Sequence, residues 1–305
     1  MLTGILAGLA AGALWGLVFV APSMVSSFTG IDLTAGRFVV YGLVSVAVLA
    51  ASMRRARRPT WRQAWGALWL SVLGFTGYYW ILVLAIRDAG TEMPALIVGT
   101  IPIWVMLLGK PSGLRWAALV PGLALTLVGL VFMAKGSLAP VDQASSAIQN
   151  AASQSTYWRG IGLAALAMMC WTAFSLLNAA WLRRHPDIGA TDWANWLGVA
   201  TGLGGVGLAL GLGTPLPQLM AQPGWPLFAL VVLAIGFGSS WLATILWNLA
   251  SQRLSASLCG QLIVSETLFA LLYSFLWDHR WPSALQWAAV ALFTAGILAS
   301  IKAHR

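Results

Sequence analysis

Charge is what this sequence has least of. Only 8% of its 305 residues are Asp, Glu, Lys or Arg, and Asp and Glu together number 8. A water-soluble domain carries roughly 25% charged residues, so water is not the main solvent of a chain that is 59% hydrophobic with a mean hydropathy of +0.82. Cysteine is nearly absent. Cys170 and Cys259 both fall in apolar runs with no metal-ligand or disulfide spacing, and are expected to be inert buried thiols. The three histidines, His185, His279 and His304, lie at the ends of apolar runs or in the tail. No HExxH, GxSxG or GxxxxGK[ST] pattern occurs, which leaves no metal site, hydrolase nucleophile or nucleotide-driven pump to expect, and no cofactor. The net charge of +9 does not indicate nucleic-acid binding, because the basic residues sit in short clusters between apolar runs, as they do in membrane loops.

Long apolar runs are what the sequence has most of. A helix needs about 20 apolar residues to cross a bilayer. Ten runs qualify approximately: 2–22, 32–52, 63–86, 91–109, 115–134, 158–181, 191–212, 225–250, 255–277 and 283–301. The first lacks a basic leader and a small-residue cleavage site, and is expected to be a retained helix. With the N-terminus inside, Arg54, Arg55, Arg57, Arg58, Arg62, Lys110, Arg115, Arg183, Arg184, Arg253, Lys302 and Arg305 fall in inner loops and tail. Arg87, Lys135, Arg159 and Arg280 then fall outside, with Arg37 near the outer end of the second span. The excess of positive charge inside fixes both termini in the cytoplasm. Of the 18 tryptophans, Trp61, Trp116, Trp158, Trp181, Trp193, Trp225, Trp277, Trp281 and Trp287 lie near span ends, where an interfacial belt is expected.

The chain repeats itself faintly. Gly4-Ile5 and Trp15 match Gly160-Ile161 and Trp171 at an offset of 156, and Leu84-Ala85 matches Leu249-Ala250 at 165. At the same offset Ile97-Val98-Gly99-Thr100 resembles Leu262-Ile263-Val264-Ser265. Five spans per half is an odd number, so the second half must enter the membrane from the opposite side, as in transporters built from inverted repeats. The expected fold is all-α and integral to the membrane, with residues 1–135 and 158–305 as inverted five-helix repeats and residues 136–157 as an extracytoplasmic linker loop.

Span count, repeat and local patterns together resemble the EamA-like branch of the drug/metabolite transporter superfamily. The patterns are Gly12-Ala13-Leu14-Trp15-Gly16, Thr34-Ala35-Gly36-Arg37-Phe38, Thr100-Ile101-Pro102-Ile103-Trp104 and Ile263-Val264-Ser265-Glu266-Thr267-Leu268-Phe269. The family often places Pro after the Glu of the last pattern, where this chain has Thr267, which tells against a strictly symmetric gate. Within the superfamily the chain is most similar to bacterial inner-membrane exporters of aromatic amino acids. That resemblance implies export of Phe, Tyr, Trp and flat cationic drugs across the inner membrane.

Spacing singles out the residues for such work. Trp15 and Phe19 share a face of the first span; Trp171, Phe174, Ser175 and Asn178 share one in the sixth; Trp241, Thr244 and Asn248 share one in the eighth. Tyr78 and Tyr79 sit with Trp80 in the third. Rings beside amides or hydroxyls suit a cavity that stacks a flat substrate, although helix packing uses the same residues. Gly4, Gly8, Gly12 and Gly16 form a smooth ridge for static packing or for sliding, and Gly12 and Gly16 are candidate hinge or gate positions with Pro102, which is expected mid-span either as a pivot or as a packing kink. Glu266 is the one acid near a midplane. It is read as a proton-coupling or amine-binding site, or as a structural carboxyl. Arg37 either meets a substrate carboxylate, snorkels to the interface, or pairs with Asp32.

Overall fold

In a bilayer core nothing but the chain itself can satisfy backbone N–H and C=O groups, so the apolar runs become helices. The computed structural model describes residues 1–52, 59–89, 92–137, 151–279 and 281–304, and no strand occurs among them. The elements are α1 (Leu2–Met24), α2 (Gly30–Ala51), α3 (Trp61–Ala89), α4 (Glu92–Gly99), α5 (Ile101–Leu108), α6 (Trp116–Ser137), α7 (Ala151–Arg184), α8 (Ala190–Leu212), α9 (Leu216–Ala221), α10 (Trp225–Arg253), α11 (Ala256–Asp278) and α12 (Ala284–Ala303). Local chemistry sets several starts. Thr60 with Gln63, and Ser283 with Gln286, form reciprocal capping boxes, while Thr29 and Ser255 cap α2 and α11.

Among the described residues nine helices are long and apolar enough to cross a membrane. The fourth run differs from its expected form. It breaks at Thr100, whose hydroxyl turns back to the Ile97 carbonyl at 2.6 Å, and α5 starts afresh at Ile101. Pro102 therefore occupies the first turn of a new helix, where a missing N–H leaves nothing unsatisfied, and does not kink the middle of one. The apolar stretch Met93–Leu108 is shorter than the roughly 20 residues of an ordinary span.

Close approaches at glycines fix the helix order. A Cβ on Gly42 of α2 would lie 2.6 Å from the Cα of Gly202 in α8, so the two backbones touch. The ridge of α1 runs along α11, with Gly4 against Leu254, Gly8 against Leu262, Gly12 against Ser265 and Gly16 against Phe269 and Ala270. Gly109 after α5 meets Ser257, and Gly122 in α6 meets Ser300 in α12. Met1 and His304 thus lie at one end of the bundle, here termed the terminal end. At the far end Gly160 meets Ala89, and Arg159 pairs with Asp88 at 2.7 Å, clamping α3 to α7. The broken fourth segment runs back from the far end to the terminal end.

Two π-helical turns interrupt long helices, Val72–Thr76 within α3 and Gly236–Leu242 within α10. Such turns are frequent at functional sites. The expected linker loop is shorter than its sequence boundaries, since α6 extends to Ser137 and α7 starts at Ala151. The rest of it, 138–150, lies outside the described residues, as do the basic run Arg54 to Arg58, Arg280 and Arg305. The tryptophan belt holds in part. Trp61, Trp116, Trp158, Trp277, Trp281 and Trp287 are exposed on the bundle surface, whereas Trp193 is fully buried and stacks on Trp181 at 5.3 Å.

Candidate functional site

The interior of the bundle is threaded by aromatic rings in contact. Trp247 of α10 lies 5.3 Å from Trp15 of α1, which meets Trp171 of α7 edge-on at 6.2 Å. Trp171 leads to Phe174 at 6.0 Å, Phe174 to Phe75 of α3 at 5.4 Å, and Phe75 to Phe38 of α2 at 6.1 Å. Phe38 meets Tyr79 at 5.5 Å, and Tyr79 meets Tyr78 at 5.5 Å. Tilted and edge-to-face pairs at these separations are favourable for rings. The chain joins five helices, and the π-helical turn Val72–Thr76 holds Phe75 and directly precedes Tyr78 and Tyr79.

Two charges sit in this otherwise uncharged interior. The Arg37 side chain is buried, at 8% exposure, with its guanidinium carbon 4.8 Å from the ring centres of both Phe38 and Tyr79. Its Nε has no hydrogen-bond partner among the described residues. Glu266 lies on α11 where that helix passes Gly12, and it is within electrostatic reach of Arg37 and of Tyr78. Among the described residues no ion pair joins Glu266 to Arg37. The expected pairing of Arg37 with Asp32 does not form. Asp32, in the first turn of α2 behind its Thr29 cap, instead receives the Thr29 hydroxyl at 2.7 Å, the Thr214 amide at 2.7 Å and the Thr214 hydroxyl at 2.8 Å at the far end.

The amides and hydroxyls expected to face a substrate are turned to the protein. Asn178 donates to Asn248 at 3.0 Å and accepts the Trp193 indole N–H at 2.7 Å. Asn248 also donates to the Ala190 carbonyl, and Thr244 donates to the Ser240 carbonyl at 2.5 Å. Trp241 donates to Asn195 at 2.8 Å, which anchors its ring to α8. Phe19 stands apart on the bundle surface at 61% exposure. The structure thus brings together Trp15, Trp171, Tyr78 and Tyr79, sets Asn178, Thr244, Asn248 and Trp241 behind them as fixed support, and leaves Phe19 out. Gly12 and Gly16 press α1 onto the backbone of α11 beside Glu266: a Cβ on Gly12 would lie 3.1 Å from the Glu266 amide nitrogen.

A shallow apolar cleft is lined by Thr34, Tyr79, Val83 and Leu208, Thr34 lying about one helical turn before Arg37 on α2. No group of three or more His, Cys, Asp or Glu residues able to hold a metal occurs among the described residues.

Comparison with known proteins gives the family. Residues 158–301 match the EamA-like transporter family. Over 315 aligned positions the chain is 31% identical to the inner membrane protein YtfF of Escherichia coli (strain K12), covering 99% of this chain and 96% of that protein. The chain belongs to the EamA-like transporter family. It is a multi-pass protein of the inner membrane and a transporter of small molecules. A solved crystal structure at 22% identity shares the fold, with a TM-score of 0.72 over 98% of both chains.

Sequence reasoning about the transporter overlooked Trp247, Phe75 and Tyr41. Trp247 has the same signal as its partners, since it lies one residue before Asn248 on a helix already singled out, yet its burial was not readable from spacing. Tyr41, which donates to the Ala194 carbonyl at 2.7 Å, lies four residues after Arg37 and so one turn along the same face of α2.

Proposed function

We propose that this transporter exports aromatic amino acids (Phe, Tyr and Trp) and flat cationic compounds by alternating access around the aromatic interior. The observation that carries the reading is the unbroken run of rings from Trp247 to Tyr78, bounded by the two interior charges Arg37 and Glu266. A guest with a π-face gains contact with such rings, and a cationic nitrogen over them gains about 0.5–2 kcal/mol more. Trp15, Trp171, Tyr78 and Tyr79 form the stacking wall, and Trp241, Asn178, Thr244 and Asn248 hold it.

Residues 1–135 and 158–305 act as inverted five-crossing halves with both termini in the cytoplasm, the short broken fourth segment counting as a crossing. Helix pairing supports this. Exchanging each helix for its counterpart turns the α1–α11 contact into the contact of α4 and α5 with α7, while the α2–α8 and α6–α12 pairs map onto themselves. The π-helical turns support it as well, since an offset of 165 carries 72–76 onto 237–241. Rocking of the halves opens the site in turn to each side. Gly12 and Gly16 serve as the smooth bearing of α1 on α11, and the break before Pro102 serves as the pivot of the fourth crossing. Glu266 exchanges a proton during the cycle, which makes the carrier an antiporter.

Counterflow in proteoliposomes tests the reading. Vesicles preloaded with unlabelled phenylalanine are expected to accumulate labelled phenylalanine transiently, with tryptophan and tyrosine competing and alanine competing weakly. Trp171→Ala is expected to weaken that competition about tenfold with little change in yield, the loss of one ring face. No aromatic competition in the wild-type protein removes the aromatic assignment.

A further inference from the structure

The two interior charges have opposite sign, lie within each other's field, and do not meet. An ion taken out of water needs close partners, and bare opposite charges in a low-dielectric interior normally collapse into an ion pair. Arg37 has only the faces of Phe38 and Tyr79, each 4.8 Å away, and a guanidinium nitrogen with nothing to donate to among the described residues. The Glu266 carboxylate makes no hydrogen bond or ion pair among the described residues, although Arg37 acts on it through space. Elsewhere the protein does satisfy such groups, as Asp32 with its three donors and Asp88 with Arg159 both demonstrate. Arg37 is the one charged side chain among the described residues with a buried polar atom that lacks a partner.

We infer that Arg37 and Glu266 are the two poles of a binding site for a zwitterion, with the substrate carboxylate received by the Arg37 guanidinium and its ammonium by the Glu266 carboxylate. This rests on the reading of the aromatic interior as the transport site and gives that site its polar chemistry. The guanidinium fork is suited to a carboxylate because it offers parallel N–H donors in one plane. The rings of Phe38 and Tyr79 hold that plane in place, so little rotational freedom is lost when the anion arrives. A ligand carrying both charges neutralises each pole, whereas a ligand carrying one leaves the other buried and unpaired. This arrangement selects α-amino acids over simple amines and simple acids of the same ring, which makes flat cationic compounds the weaker cargo.

Competition against labelled phenylalanine in proteoliposomes holding the full chain tests the inference, with four probes: phenylalanine, phenethylamine, 3-phenylpropionate and alanine. In the wild-type protein, removal of either charged group from the probe is expected to weaken competition at least tenfold. Arg37→Gln is expected to bring phenylalanine down to the level of phenethylamine while leaving phenethylamine unchanged, and Glu266→Gln to bring it down to the level of 3-phenylpropionate. Arg37→Lys is expected to recover part of the carboxylate preference, which separates loss of charge from loss of fold. Equal weakening of phenylalanine and phenethylamine by Arg37→Gln, in protein of normal yield and monodispersity, overturns the inference. So does a wild-type protein that does not distinguish phenylalanine from its two truncated analogues. Where labelled phenylalanine is not carried, the same panel is read by thermal stabilisation of the purified protein. Stabilisation by alanine that depends on Arg37 and Glu266 then removes the aromatic reading and keeps the zwitterion site, and stabilisation by no zwitterion overturns both.

Discussion

The side-chain amide of Asn178 donates to that of Asn248 at 3.0 Å in the fully buried seam between α7 and α10, and the Trp193 indole completes the group from α8. Three helices thus share one small polar cluster in an apolar surround. In lipid such hydrogen bonds join helices because the alternative is an unsatisfied polar group.

The first prediction follows from that cluster. Asn178→Leu strands the Trp193 N–H and one face of Asn248, at a cost of about 1–3 kcal/mol for each buried group left unpaired. The detergent-solubilised variant is expected to melt several degrees below the parent, with relative preference among substrates unchanged. Thermal unfolding followed by tryptophan fluorescence measures the first, and competition in proteoliposomes measures the second.

A second prediction concerns the bearing of α1 on α11. A side chain on Gly12 meets Ser265 and the Glu266 backbone, and one on Gly16 would lie 2.9 Å from the Ala270 nitrogen. Gly12→Val therefore forces the helices apart, at about 1–3 kcal/mol for overpacking. Transport is expected to fall more steeply than yield, because the contact adjoins Glu266. Gly207→Val, at a position with nothing within 4 Å, is the control expected to change neither.

Much of this was legible in the sequence, and the parts that were not share a cause. That the chain is helical and spans a membrane follows from apolar run length, and nine of the ten runs correspond to helices long enough to cross among the described residues. The break at Thr100 was missed because Pro102 reads equally as a kink inside a helix and as the first turn of a new one; the Thr100 hydroxyl bond to Ile97 decides it. Spacing placed Asn178 and Asn248 each on a face with an aromatic residue, correctly, but could not tell that the amides face one another. For Arg37 a substrate carboxylate, the interface and Asp32 all stayed open because depth along a helix is readable from sequence, whereas the neighbour across the bundle is not. Phe19 shares a helical face with Trp15, but five residues before the end of α1 that part of the face is already turned outward.

A third prediction concerns proton coupling. Glu266 is the one acid in the middle of a membrane-crossing helix among the described residues, and Arg37 and Tyr78 lie within its electrostatic reach. If it exchanges a proton with each cycle, an imposed pH gradient drives uphill movement of phenylalanine in the parent protein. Glu266→Gln is expected to abolish that drive while leaving residual exchange down a phenylalanine gradient. A pH-gradient response that survives the substitution makes the carboxyl structural.

The count of crossings carries the two-halves account, and it turns on the short segment Met93–Leu108. With Cys170 and Cys259 replaced by Ala, single cysteines at Arg87 and Lys110 are exposed to a membrane-impermeant maleimide in intact cells and in inverted vesicles. The account expects Arg87→Cys to label only from outside the cell and Lys110→Cys only from the cytoplasm. Labelling of both from one face would mean that the fourth segment does not cross, the halves would no longer be inverted copies, and the alternating-access scheme built on them would be contradicted.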